Sequence, residues 1–198
     1  FVTFDPGLAN TSICKSDITY INGEEGVLKY RGYPIEQLAP NMLFTEVSYL
    51  LLYGKLPNLQ EKQNFSKLLT KHANIHEDMK RFFDGFPLNA HPMATLSSMV
   101  TALSAYHPNI DGHDEVLMDE ILIKILSKVK TIAAYSYRKS HGLPFIYPEQ
   151  DLSYVDNFLH MMFSDKQAEF HKNSIITKAL NLLLILHADH EQNCSTAA

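Results

Sequence analysis

Leu182-Leu183-Leu184-Ile185-Leu186 runs without a break into His187-Ala188-Asp189-His190-Glu191-Gln192-Asn193. Five aliphatic residues suit a helix lodged in a core. The two histidines, two carboxylates and two amides that follow should then emerge beside that core rather than in open water. Residues three and four apart share a helix face. Ile176, Leu180, Leu183, His187 and His190 therefore fall on one stripe, with Asp189 and Glu191 turned off it. Such a helix would deliver two imidazoles to one place. They could be core histidines bonded to backbone. They could bind a metal, although H-E-x-x-H, which puts two ligands at i and i+4, is absent. They could also grip an anion, because an imidazole near neutrality offers charge-assisted hydrogen bonds. The residue types alone leave all three open.

Composition narrows the class. The chain has 198 residues, 45% hydrophobic and 20% charged, as in ordinary globular proteins. A formal charge of −5 and a pI near 6.0, with no basic block, argue against a nucleic-acid partner. Any anionic ligand would need a local basic cluster acting against the global sign. Cys14 and Cys194 lack a C-x-x-C partner and are expected to be free thiols in a reducing compartment. No signal peptide is legible, and the apolar run ending at Leu186 is too short to cross a bilayer. Because the chain opens on Phe1 rather than Met, a piece of a longer polypeptide is expected.

Working back from the end, periodicity calls for helices throughout most of the chain. The last should begin after Asn173-Ser174. Leu152, Val155, Leu159 and Met162 mark another, preceded by an extended link over 142–150 with Pro144 and Pro148. Leu117, Ile121, Ile125 and Val129 give a long amphipathic helix, and 107–112 reads as a loop. Met93, Leu96, Val100 and Leu103 form one more apolar stripe. Its flanks, Ala94, Ser97, Ser98, Thr101, Ala102 and Ala105, are small enough to let a second helix come close. Asn58-Leu59-Gln60-Glu61 has capping-box spacing and opens a helix with Phe65, Leu68 and Leu69 inward. Leu43, Val47 and Leu50/Leu51 mark a helix stopped by Gly54 and Pro57. Arg31-Gly32-Tyr33-Pro34 turns the chain into a short helix over 35–38. Residues 1–16 read as irregular, with a turn at Asp5-Pro6-Gly7. The best strand signal is a hairpin over about 17–30, with Ile18–Ile21 and Val27–Tyr30 joined by Asn22-Gly23-Glu24-Glu25-Gly26. The fold class is mainly α, part of a single multi-helical domain with a small N-terminal β-hairpin. Phosphate loops and G-x-S-x-G are absent.

The segment His187-Ala188-Asp189-His190-Glu191-Gln192-Asn193-Cys194-Ser195-Thr196 resembles the H-x-D-H-E-x-N-x-S-T segment of citrate synthases, especially the Gram-negative bacterial type. Thr3-Phe4-Asp5-Pro6-Gly7, Asp17-Ile18-Thr19-Tyr20-Ile21, Arg31-Gly32-Tyr33-Pro34-Ile35 and His91-Pro92-Met93 resemble the same type. So do Asp151-Leu152-Ser153-Tyr154, Asn157-Phe158-Leu159 and Met161-Met162-Phe163, all in the family's order. The resemblance implies a citrate-synthase-like large helical domain, of which residues 1–198 would be the N-terminal part, without the small domain and the catalytic C-terminal part. It implies condensation of acetyl-CoA with oxaloacetate and water to citrate and CoA, at the entry to the tricarboxylic acid cycle. The family's catalytic Asp and two His would lie downstream, so no catalytic residue is expected here and the 198-residue chain alone should be inactive. His190 matches a histidine that helps hold oxaloacetate, with His187 a second candidate for the same ligand. Lys124 and Lys128, with His72 and Tyr106, match an allosteric nucleotide site for NADH, although the family usually has Arg at one of the two lysine positions.

The resemblance implies neither a metal nor a cofactor; acetyl-CoA is a substrate. It implies a cytoplasmic homodimer, or a hexamer built as a trimer of dimers, pairing through large-domain helices, with no nucleic acid and no membrane. The alternatives are a 2-methylcitrate synthase or a non-catalytic helical module for nucleotide binding or oligomerisation. A metal hydrolase using His187 and His190 is a further one.

Overall fold

The computed structural model describes residues 15–107, 114–165 and 173–189. The chain forms two compact units, one of residues up to Asn58 together with those from Asn181, the other Leu59–Leu180. The first carries the hairpin. Strands β1 (Thr19–Asn22) and β2 (Val27–Tyr30) pair antiparallel, Thr19 opposite Tyr30 and Asn22 opposite Val27. The Asn22 side-chain oxygen accepts the Glu24 and Glu25 N–H groups, both at 3.1 Å, and closes the turn. A two-residue strand, β3 (Tyr33–Pro34), adds to the other edge of β2 where the sequence reading has only a turn. Arg31 (φ 49°) and Gly32 (φ 85°) make that reversal, and the Arg31 Nη2 donates to the Leu51 carbonyl at 2.9 Å.

Helix α1 (Ile35–Asn41) follows at once and runs longer than expected. Helix α2 (Phe44–Tyr53) starts where the Glu46 carboxylate accepts the Leu43 N–H at 2.8 Å. It stops at Gly54, whose left-handed backbone (φ 76°) a side chain would resist. Tyr30, Ile35, Leu38, Val47 and Leu50 form the core of this unit. Burying each contributes on the order of 2 kcal/mol.

The second unit is built on α6. Helix α3 (Leu59–Lys71) buries Phe65 and Leu69, but Leu68 is turned outward, against expectation. A short helix, α4 (Met79–Phe82), and a 3₁₀ turn (Phe83–Gly85) occupy a stretch without helical period in the sequence. Helix α5 (Pro92–Ala102) differs from its expected stripe. Met93 is 59% exposed, and the buried line is Thr95, Met99 and Leu103, with Leu96 and Val100 flanking it. A threonine on the inward line hides that line from hydropathy.

Helix α6 (Glu115–Ser140) has 26 residues and is buried nearly all round toward its C-terminus, where α5 and α7 pack on it. Ile125 of the expected stripe is exposed, whereas Ser127, Thr131 and Ser136 are buried. The Ser127 and Ser136 hydroxyls donate to the Ile123 and Ile132 carbonyls at 2.6 and 2.7 Å. They are thereby satisfied within the helix and occupy little more room than alanine. Helix α7 (Tyr154–Phe163) is capped by Ser153, whose Oγ accepts the Asp156 N–H at 3.2 Å. At its other end the buried Arg138 guanidinium donates to the Met162 and Ser164 carbonyls at 3.2 and 2.9 Å.

Helix α8 (Ser174–Leu186) begins at Asn173, whose side-chain oxygen accepts the Ile175 and Ile176 N–H groups. Of Ile176, Leu180 and Leu183, all expected inward on a core helix, only Leu180 is half-buried. Ile176 is 51% and Leu183 52% exposed, and Ile185 alone is fully buried. The inward line runs Thr177, Leu180/Asn181, Leu184/Ile185 and Ala188. Thr177 donates to the Asp156 carboxylate at 2.7 Å. Asn181 accepts the Phe44 N–H at 2.7 Å and donates to the Met42 carbonyl at 3.0 Å. Two polar residues with specific partners set the rotation of the helix, and the aliphatic stripe follows.

Candidate functional site

The end of α8 is fixed by the hairpin. Helix termini leave carbonyls without intrahelical partners. The Ile185 carbonyl takes the Ala188 N–H at 3.2 Å and the Tyr30 hydroxyl at 3.0 Å. The Leu183 carbonyl takes the His187 N–H at 3.1 Å, and the same residue's Nδ1 lies 2.8 Å from it. A carbonyl only accepts, so Nδ1 carries the proton there and Nε2 is the bare nitrogen of the neutral ring. His187 is exposed and, beyond capping the helix, could bind a carboxylate through Nε2 only as the imidazolium. The helix ends at Leu186, so the face argument does not carry on to residue 190. His190 itself lies outside the described residues, as do Cys14 and Cys194. Asp189, expected to point away, is instead gripped: its carboxylate accepts the Thr19 hydroxyl, and its carbonyl lies 3.1 Å from the Tyr30 hydroxyl.

A second constellation gathers on α6. After α3 the chain runs straight past it, and three successive carbonyls are held. The Lys128 Nζ donates to those of His72 (3.0 Å) and Asn74, and Thr131 donates to that of Ala73 at 2.7 Å. This brings His72 beside Lys124 and Lys128, as the nucleotide-site reading requires. His107, absent from that reading, joins them. Burial first, then the charges of Lys124 and Lys128, hold both imidazoles below the usual value, with Lys71 adding to the effect on His72 and Glu120 opposing it. Lys128 is itself lowered by burial and by Lys124. Lys124 pairs with Glu120 at 2.7 Å, four residues back. Tyr106 turns to the neighbouring His76, ring centroids 4.9 Å apart. A cavity of about 100 Å³ opens here, lined by Leu103, Ser104, His107, Lys124, Ile125 and Lys128. That space suits a phosphate-sized anion rather than a whole dinucleotide.

The signal for His107 was its place directly after Tyr106. That for Tyr30 and Thr19 was their opposition in the hairpin register. A larger, apolar cavity of about 300 Å³ lies between α5 and α6, bordered by Phe86, Met93, Leu96, Tyr137, His141 and Met162, and contains none of the candidate ligand-binding residues read from the sequence. Among the described residues no three His, Cys, Asp or Glu side chains gather as a metal site would require. Nor is any described helix long and apolar enough to cross a membrane.

Residues 7–198 match the family model described as citrate synthase, C-terminal domain. Citrate synthase 1 of Mycobacterium tuberculosis is 52% identical over 196 residues, 98% of this chain and 46% of that protein. The crystal structure of citrate synthase from Pyrobaculum aerophilum is similar with a TM-score of 0.83 and 34% identity, over 96% of this chain and 48% of that one. The ternary complex of carboxymethyl coenzyme A and oxaloacetate with citrate synthase from Thermoplasma acidophilum gives a TM-score of 0.89 at 26% identity, over 99% of this chain and 50% of that one. The chain thus spans about half the length of the relatives it matches.

Proposed function

The chain belongs to the citrate synthase family, and from that premise we propose that the longer protein joins the methyl carbon of acetyl-CoA to the keto carbon of oxaloacetate and hydrolyses the thioester, giving citrate and CoA. The observation that carries this is the 52% identity over 98% of the chain. The reaction needs a base for a weakly acidic C–H and donors for the enolate and the keto oxygen. The resemblance puts these beyond the present stretch and gives His190 the task of holding oxaloacetate. In this reading the 198 residues are the N-terminal part of the large domain of an enzyme of the Gram-negative bacterial type, working in the cytoplasm. The small residues Ala94, Ser97, Ser98 and Thr101 are exposed along α5, which favours a homodimer pairing through that helix. The test is citrate production by the full-length protein, with acetyl-CoA preferred to propionyl-CoA. A preference for propionyl-CoA would move the assignment to 2-methylcitrate synthase. Citrate formed by residues 1–198 alone would overturn the division of labour.

The basic cluster favours a second property, inhibition by an anionic nucleotide such as NADH. Burial, and after it the charges of Lys124 and Lys128, hold both imidazoles below their usual value, and an anion beside His72 and His107 would offset the lysine part. Binding then takes up protons, so affinity should rise as pH falls toward 6. Titration of the full-length protein with NADH at several pH values tests this, and a pH-independent affinity would remove the two histidines from the site.

A further inference from the structure

Lys124 and Lys128 differ in what holds them. The Lys128 ammonium donates to the His72 and Asn74 carbonyls, neutral acceptors that belong to the fold. The Lys124 ammonium instead meets the Glu120 carboxylate at 2.7 Å. Glu120 lies one turn N-terminal on α6, the better order for a carboxylate and a lysine four residues apart. Lys124 lines the cavity and its side chain is 20% exposed, whereas Glu120 stands outside the lining and is 53% exposed. Glu120 is also coupled to the two imidazoles. Lys124, by hydrogen bond first and charge second, holds the Glu120 carboxyl below its usual value, and His72 and His107 act in the same direction. In return the Glu120 charge raises both imidazoles against the lysines. One carboxylate of the chain therefore offsets Lys124, His72 and His107 together, which is what a bound anion would do.

We propose that Glu120 is a tethered counter-anion of the nucleotide site: it competes with the ligand for the Lys124 ammonium and must yield it to a phosphate group. This rests on the nucleotide reading given above and adds to it a threshold carried by the helix itself. An exposed pair four residues apart is weak, worth about a factor of two in an equilibrium. A doubly charged phosphate therefore replaces Glu120 readily, whereas a single carboxylate gains little over the one already there.

The experiment titrates the full-length protein with NADH and, separately, with inorganic pyrophosphate, at one pH and one ionic strength. Glu120→Gln keeps the size of the side chain and removes its charge; the residue is exposed and its partner lies on the same helix, so the fold should tolerate the change. Both probes should bind roughly fivefold more tightly to Glu120→Gln than to the wild type. Lys124→Gln should weaken both by roughly tenfold. In the Lys124→Gln background, Glu120→Gln should gain less than about twofold, because the contested ammonium is gone. Unchanged or weaker binding by Glu120→Gln, where Lys124→Gln lowers the wild-type affinity, refutes the counter-anion and leaves the nucleotide reading standing. An equal gain with and without Lys124 also refutes it, since the overall charge would then be enough. If NADH binds neither protein while pyrophosphate binds Glu120→Gln more tightly, the nucleotide reading fails and the counter-anion stands. If neither probe binds either protein, both fail.

Discussion

Helices α6 and α8 invert the usual relation between greasiness and depth. In α6 the fully or nearly buried positions include Ser127, Lys130, Thr131 and Arg138. In α8, whose second half is almost wholly aliphatic, Ile185 is the one residue fully buried, while Ile175 is 78% and Leu183 52% exposed. Hydropathy records what a side chain would gain by burial, not whether a neighbour is there to supply it. Around α6 the neighbours are present: α5 and α7 pack on it, the Ser127 and Ser136 hydroxyls bond within the helix, and Arg138 finds carbonyls. Around the outer face of α8 no described element stands. Rotation of each helix is decided by specific polar contacts as much as by the apolar count.

Four substitutions test that contrast, from the deepest site outward. Ile132→Ala, in the fully buried part of α6, should destabilise by about 3 kcal/mol through the lost transfer energy and the cavity left behind; urea denaturation measures it. Lys130→Met should act in the opposite direction. Burial lowers this lysine from 10.5 to about 8, so between those values the unfolded chain binds more protons and stability rises with pH. The penalty is complete below the folded value. It amounts to roughly 3 kcal/mol from the shift, offset by about 1 from the Tyr154 ring under the ammonium. Its nitrogen sits 4.2 Å from that ring centroid. The variant should therefore gain about 2 kcal/mol at neutral pH, and the gain should fade as pH rises from about 8 to 10.5. Paired melts at pH 7 and above that value check both the sign and the window.

On α8 the polar residue should outrank the leucine. Asn181→Ala removes the partner of the Phe44 N–H and the Met42 carbonyl, a loss of about 1–2 kcal/mol. Leu183→Ala, on the open face, should cost less than about 0.5 kcal/mol if the described residues are all that surround it. In the longer protein, a cost near that of Ile132→Ala would show that another part of the molecule closes over α8.

The same contrast explains what could be read in advance. The helical class, the hairpin, the Asn173 cap and the Gly54 stop rest on local chemistry and are legible one residue at a time. The rotations of α5 and α8 were legible only in part: Leu96, Val100, Leu103 and Leu180 turn inward, but Thr95, Thr177 and Asn181 share that side and carry no apolar signal. Helix α4 spans four residues, less than two turns, so it leaves no period to detect. At the basic cluster, spacing was enough to pair Lys124 with Lys128 on one helix. That Lys128 would hold backbone carbonyls, that Tyr106 would turn to His76 and that His107 would join all depend on a chain crossing that no local pattern encodes. His187, the weaker candidate of the pair, folds its imidazole back to finish the helix, since a terminus with free carbonyls attracts the nearest donor.

The hairpin's grip on Asp189 also has a kinetic side. Its two hydroxyl contacts join positions 170 and 159 residues apart. Closing so long a loop costs only about 2.5 kcal/mol more than closing one of roughly ten residues. It nevertheless delays the event, because distant partners meet late. During synthesis the hairpin emerges well before Asp189, so its two hydroxyls can close on that residue only after the intervening chain has been made.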